Sequence, residues 1–184
     1  VSSAASDVYK RQLSKKTSSP VKVNMSRQEV FEGTGPTSGS YMKVRIGVTK
    51  KGRIAAAEAL LAYAAGAFPG SPVNPGAQCM LGPYDIPNAR VEGYDVVVNS
   101  PKVAAYRAPG APGAAYAAET VIDEICEELD LDPLEFRLLN GAKEGTRRVS
   151  GPLFPSIGYL ETLEDTLLTI QLLAEDIDGD ELTF

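Results

Sequence analysis

Apolar and polar residues alternate from Ser40 to Thr49, with Met42, Val44, Ile46 and Val48 on one face and Lys43 and Arg45 on the other. A period of two predicts a β-strand. Lys50-Lys51-Gly52 then makes a turn, and Arg53 to Ala65 is expected to return as a second, longer strand. The run Ala55-Ala56-Ala57 has helical propensity, but the turn before it and Phe68-Pro69-Gly70 after it favour the strand. Val21-Lys22-Val23-Asn24-Met25 also alternates and is expected to form a strand. Ala89 to Asn99 reads as a third strand of the main group. Gly66 to Asn88 holds Pro69, Pro72, Pro75, Pro83 and Pro87, so it is expected to be loop with one short helical turn around Ala77–Leu81.

The period then lengthens. Ala118, Val121, Ile122, Ile125, Cys126 and Leu129 recur at helical spacing, while Asp123, Glu124, Glu127 and Glu128 fall on the opposite face, so Ala114 to Leu129 predicts an amphipathic helix. Glu119 is read with those acids as a solubilising residue. Asp132-Pro133-Leu134-Glu135 opens a second helix: Asp132 suits the N-cap, Pro133 the first turn, and Glu135 a capping box. Asn140-Gly141 closes it. The expected fold is α+β, a mixed or antiparallel sheet with two helices packed on it.

Composition narrows the chemistry. The chain has 184 residues, 43% of them hydrophobic, which suffices to bury a core. It has no apolar run long enough to span a bilayer and no apolar signal-peptide core near its start, so a cytoplasmic location is expected, with the periplasm as the alternative. The net charge of −6 is uneven. Seven acids and no Lys or Arg lie in residues 164–184, residues 1–12 carry one net positive charge, and residues 13–163 are neutral. A neutral middle gives no reason to expect nucleic acid or a membrane surface. There is no His, which removes the usual general base and the commonest metal ligand. Cys79 and Cys126 are far apart and read as reduced, buried small hydrophobes, leaving this chain without the ligand set of an iron–sulfur or zinc site.

One stretch stands apart: Ala104-Ala-Tyr-Arg-Ala-Pro-Gly-Ala-Pro-Gly-Ala-Ala, a single cation inside a run of small residues that leads into the long helix. On the residues alone, Arg107 is a surface arginine on a Pro/Gly turn. Three other segments are distinctive: Pro20 to Glu29 (PVKVNMSRQE), Ile86 to Arg90 (IPNAR), and Asp132 to Asn140 (DPLEFRLLN) followed by Glu144-Gly145. In this order and spacing they resemble the molybdenum-binding catalytic subunit of the xanthine dehydrogenase, aldehyde oxidase and carbon monoxide dehydrogenase family, over nearly all of residues 18–163. Residues 13–163 are accordingly expected to be a fragment of a larger molybdopterin-binding domain.

The resemblance implies a molybdopterin cofactor, in its cytosine dinucleotide form, and an oxidation of an aldehyde or N-heterocycle in which water supplies the oxygen atom. It also implies iron–sulfur and FAD subunits as partners that drain the electrons. Arg107 and Ala108 match the loop that approaches the cofactor, and Pro109 and Gly110 match positions beside the substrate. Gly110 and the alanines would let backbone approach a bulky anion, and Pro109 and Pro112 would stiffen the turn. Departures from the family pattern carry information. Pro109 stands where xanthine dehydrogenases carry a purine-stacking aromatic, and Ala108 where carbon monoxide dehydrogenases carry a copper-ligating cysteine. Neither purine nor CO is therefore expected. The family's glycine-rich cofactor segment and its catalytic glutamate match nothing in this chain, so no residue here is assigned as the base and the polypeptide alone is expected to be inactive.

Both ends look foreign to that family. Ser2 to Gln12 resembles the translation of a transposase-based sequencing adapter, so residues 1–12 are expected to be a disordered, non-native scar. Residues 164–184 resemble part of a bacterial cadherin-like tandem repeat, joined near Leu163–Asp165. There Asp176, Asp178 and Asp180 around Gly179 are a candidate calcium site, since a hard cation takes several carboxylate oxygens. The same residues also suit a plain solvated acidic end. Two readings compete with the oxidoreductase: a non-enzymatic α+β binding module with a calcium-responsive acidic tail, and a small autonomous domain without activity.

Overall fold

The structure is a computed structural model that describes residues 3–165. Its centre is a three-stranded sheet in the order β1-β2-β3: Ser40–Val48, Ile54–Gly66 and Ala89–Val97. β1 and β2 form the expected antiparallel hairpin, turned at Gly52. β3 lies parallel to β2 on its other side, so the sheet is mixed. A parallel neighbour needs a long crossover, and the proline-rich 67–88 connection provides it.

The main helices cover one face. α4 (Ala111–Leu129) lays Ala114, Ala118, Ile122 and Cys126 onto the sheet as a buried stripe. β2 answers with Ala57, Ala59, Leu61 and Tyr63, all buried. Small alanines on the helix stripe let α4 settle close to the sheet, nearest at β1, and the larger Ile54, Ile122 and Phe136 fill the space left over. Each such large side chain contributes about 1.5–3 kcal/mol by leaving water. α5 (Pro133–Asn140) closes one end of this layer with Phe136, and α3 (Val73–Cys79) packs beside β3. Two further helices lie towards the start, α1 (Ser3–Thr17) and α2 (Arg27–Gly33), and a helical run occupies 159–165.

Several expectations need correction. Val21–Met25 is not a strand: it pairs with none of the described strands, and Val23 and Met25 are about half exposed. The short helix of the crossover lies earlier than expected, at Val73–Cys79, with Pro75 tolerated in its first turn. The two-way capping box forms at Ser26–Glu29, where the Ser26 hydroxyl accepts from the Glu29 amide and the Glu29 carboxylate from the Ser26 amide. At α5 the Asp132 carboxylate instead accepts both the Leu134 and Glu135 amides on one oxygen. The chain leaves α5 through Gly141 in extended rather than left-handed conformation, because Asn140 holds the exit. That buried amide accepts from Ile54 N–H at 2.9 Å and donates to the carbonyls of Gly52 and Phe136. Residues 3–12 of the adapter-like segment are helical rather than disordered. Lys10, Arg11, Gln12 and the alanines at 4 and 5 are good helix formers, and α1 buries no residue among those whose burial is described. Cys126 is buried as expected, but Cys79 is exposed at the end of α3.

Candidate functional site

The loop that the sequence singles out runs from Ala104 to Gly110 and delivers the chain into α4. Its entry is held firmly. Val103 N–H donates to Ala65 O at 3.2 Å and Ala104 N–H to Pro36 O at 2.9 Å, which ties the lead-in to the end of β2 and to the segment after α2. Its exit is held as firmly. Gly110 has φ +83°, and a Cβ there would stand 2.3 Å from the Pro72 carbonyl oxygen, so only glycine fits. The Tyr63 hydroxyl reaches from β2 to donate to Gly110 O at 2.7 Å. Burial, and then nearby Cys79, push the Tyr63 phenol above its ordinary pKa, which keeps it a donor.

Between those anchors the loop stands open. Tyr106, Arg107, Ala108 and Pro109 are exposed. Ala108 sits at φ +49°, a left-handed backbone that costs a non-glycine residue about 1–2 kcal/mol. Such strain persists where the surroundings fix it, and here the two anchors do so. Ala108 O accepts from Ala111 N–H at 3.1 Å and closes the turn into α4. Among the described residues, no hydrogen bond or ion pair engages the Arg107 guanidinium. The four predicted site residues are therefore consecutive on one loop, and Arg107, Pro109 and Gly110 share the lining of one niche of about 130 Å³. Thr37, Ser38, Ser40, Tyr63 and Tyr106 complete its polar lining, and no acid does.

A larger groove of about 740 Å³ lies on the other flank of the start of α4. Ala111, Pro112 and Ala115 form one wall, and Cys79, Phe154, Ile157 and Tyr159 the other. Its one charged lining residue is Arg148, whose guanidinium sits 4.2 Å from the centroid of the Phe154 ring. Sequence reasoning misses this groove because its walls come from α3, α4 and the 142–159 segment, which share no local pattern.

It also misreads Glu119. The side chain is two-thirds buried and accepts from the Tyr84 hydroxyl at 2.8 Å and from Arg137 at 2.7 Å, while Arg137 also binds Asp123 at 2.9 Å. Burial, reinforced by the adjacent Glu119 charge, pushes the Tyr84 phenol far up. Arg137 loses solvation too, but its hydrogen bonds to Asp123 and Glu119 outweigh that and hold it more firmly protonated. Glu119 is thus the centre of a structural charge network, and the only available sequence signal was its place on the helix next to the apolar stripe. Among the described residues no three His, Cys, Asp or Glu side chains converge on one point. Asp176, Asp178 and Asp180 lie outside the described residues.

Comparison with known proteins decides the family. Residues 2–141 match the molybdopterin cofactor-binding domain, a span that contains the sheet, the open loop and both main helices. The chain belongs to this family. It is 32% identical over 153 residues to the nicotinate dehydrogenase large molybdopterin subunit of Eubacterium barkeri, covering 80% of this chain and 36% of that protein. It is likewise 32% identical over 138 residues to the aldehyde oxidoreductase of Megalodesulfovibrio gigas, covering 73% of this chain and 15% of that one. Among solved structures, the aldehyde oxidoreductase from Desulfovibrio gigas superposes with a TM-score of 0.74 at 27% identity, over 87% of this chain and 18% of that chain. Quinoline 2-oxidoreductase from Pseudomonas putida 86 gives 0.70 at 25% identity, over 89% and 22%. This chain thus spans about a third of the first of these relatives and less of the others. The mixed sheet with helices matches part of the molybdopterin-binding domain of the aldehyde oxidoreductase. The comparisons lend no support to a non-enzymatic calcium-responsive module. No helix among the described residues is long and apolar enough to cross a membrane.

Proposed function

We propose that this chain supplies the cofactor-facing loop of a molybdenum hydroxylase that oxidises an aldehyde or an N-heterocycle, with water as the oxygen source. The observation that carries the reading is the state of Arg107: an exposed cation with no partner among the described residues, on the acid-free niche of a loop anchored at both ends. A niche lined by hydroxyls and one guanidinium, without a carboxylate, suits one edge of an anionic group such as a molybdopterin. We take the cytosine dinucleotide form as the cofactor. When bound, the cofactor supplies the oxygen-atom and electron chemistry. Arg107 and Ala108 hold and orient it, Arg107 by charge and Ala108 by the strained backbone that turns the loop outward. Tyr63 keeps Gly110 in place by donating to its carbonyl, and the start of α4 brings a positive helix end to the same side.

The substrate reading follows the small residues at Ala108 and Pro109, which leave no aromatic to stack a purine and no thiolate to bind copper. Relatives are named for an aldehyde, for nicotinate and for quinoline, and others for xanthine, and it is Pro109 that weighs against a purine here. Iron–sulfur and FAD subunits are the proposed electron partners, and the cytoplasm the proposed location. In this reading residues 13–163 are one part of a larger domain, residues 1–12 and 164–184 are additions to it, and the chain alone does not turn over. The test is to assemble the enzyme from cells given molybdate, as wild type and as Arg107→Ala, and to measure bound molybdenum, pterin fluorescence and substrate-dependent dye reduction. Arg107→Ala should lose cofactor and activity together. Wild-type cofactor content in the variant, or turnover by the 184-residue chain alone, would overturn the reading.

A further inference from the structure

Lys102 stands three residues beyond Asn99, where the chain has left β3 for the open loop. Its ammonium nitrogen is ringed by four backbone carbonyls: Ala65 at 3.2 Å, Phe68 at 3.1 Å, Pro69 at 3.0 Å and Gly70 at 2.9 Å. An ammonium has three hydrogens, so at least one is shared between two acceptors. Four carbonyl dipoles converging on one point repel one another, and a cation at their focus turns that repulsion into attraction. The same short loop is held from its amide side by Asp95 of β3, whose two carboxylate oxygens accept from Gly70 N–H at 2.7 Å and Ser71 N–H at 2.9 Å.

This clasp is joined to the candidate loop in two ways. Lys102 lies in the lead-in that Val103 and Ala104 fasten to Ala65 and Pro36. A Cβ on Gly66 would stand 2.2 Å from Pro101 O, so the lead-in runs in direct contact with the base of the clasped loop. At its other end the clasped loop passes into Pro72, whose carbonyl is the wall against which Gly110 rests. The clasp therefore touches both the entry and the exit of residues 104–110, and it meets the niche that Arg107 lines only through Pro72 and Ala104; Lys102 itself does not line it.

We propose that Lys102 is a positioning residue: by gathering the 65–70 carbonyls it fixes the Pro72 wall, and through that wall the left-handed turn at Ala108–Gly110. The link from Lys102 to the loop stands on these contacts alone. Its consequence for catalysis rests on the cofactor reading above.

The test is hydrogen exchange by mass spectrometry on wild type, Lys102→Met and Lys102→Arg. Lys102→Met should speed exchange roughly tenfold or more at both 66–71 and 106–113, the scale expected for losing a charge-assisted set of bonds, while β1 and β2 stay protected. Lys102→Arg should not restore protection, because a planar guanidinium on a longer stem cannot sit at the focus of four carbonyls. Faster exchange confined to 66–71, equal acceleration throughout β1 and β2, or full rescue by arginine would each overturn the proposal. Should Lys102→Met fail to fold, Asp95→Asn loosens the same loop from its amide side and must show the same spread to 106–113; protection there at the wild-type level sinks the idea. In the assembled enzyme, Lys102→Met should lower kcat with little change in KM, and unchanged kcat would remove its catalytic consequence. The two readings fail separately: if Arg107→Ala keeps its molybdenum while Lys102→Met still loosens 106–113, the cofactor reading falls and the positioning role stands.

Discussion

The packing of α4 on the sheet and the 104–110 loop are neighbours in sequence and opposites in construction. In that packing, Ala114, Ala118 and Ile122 share one buried core with Ala59, Leu61 and Tyr63, all at 3% exposure or less, and stability comes from burial. In the loop, exposed Tyr106 and Arg107 contribute little to the fold, and the chain there is shaped from outside, by Tyr63, Pro72 and the Lys102 clasp. One region is stable because of what it contains, and the other is ordered because of what it leans on. A protein that must hold backbone against a ligand needs the second kind of region and can build it only on the first.

Mutations should separate the two. Phe136→Ala, in the buried layer, should cost about 3–5 kcal/mol in denaturant unfolding, through lost burial and the cavity left behind. Asn140→Ala should cost about 2–4 kcal/mol by stranding the Ile54 amide and the Gly52 carbonyl, both otherwise sealed from water. Gly110→Ala lies on the border between the regions. Its clash with Pro72 O and its positive φ should cost about 1–3 kcal/mol, and the loosened amides should be those of 106–113 rather than β2. Arg107→Ala should move stability by no more than about 0.5 kcal/mol, because no hydrogen bond or ion pair among the described residues uses its guanidinium. An Arg107 variant as damaging to stability as Phe136→Ala would erase the distinction.

A pH titration gives the mildest test. The Asp95 carboxyl lies below its ordinary pKa, drawn down by the Ser71 hydroxyl beside it and by the amides of Gly70 and Ser71, with Lys102 adding a smaller pull. A depressed carboxyl stabilises the folded state above its unfolded pKa, and that contribution is lost as pH falls through the lower, folded value. Protection of the Gly70 and Ser71 amides should therefore hold from neutral pH to about 4 and fade only below it. Fading between pH 5 and 7 would break the assignment to Asp95.

The buried region was largely legible in the sequence. The alternation of β1, the turn at Gly52, the period of α4 and the Asp132 cap are local signals, and each marks its element. The parallel pairing of β3 was not legible, since strand direction is set by the crossover rather than by the strand. The Val21–Met25 alternation misleads because a period of two makes a strand only when it is paired, and this segment pairs with none of the described strands. At the site, the sequence locates Arg107 to Gly110 but says nothing of Lys102, Asp95 or Tyr63. Each is an ordinary residue in its own neighbourhood and acquires its role only when distant segments meet, and Glu119 is misread for the same reason.

The mixed sheet has one more consequence. β1 and β3 each leave one side unpaired among the described strands, and they do so differently. Both carry charges, Lys43 and Arg45 on β1 and Arg90, Glu92 and Asp95 on β3, but it is the end of β3 that gathers exposed apolar side chains, Tyr94, Val96 and Val97. Self-association of this chain in solution should begin at β3, and a lysine at position 96 is the simplest way to keep it monodisperse.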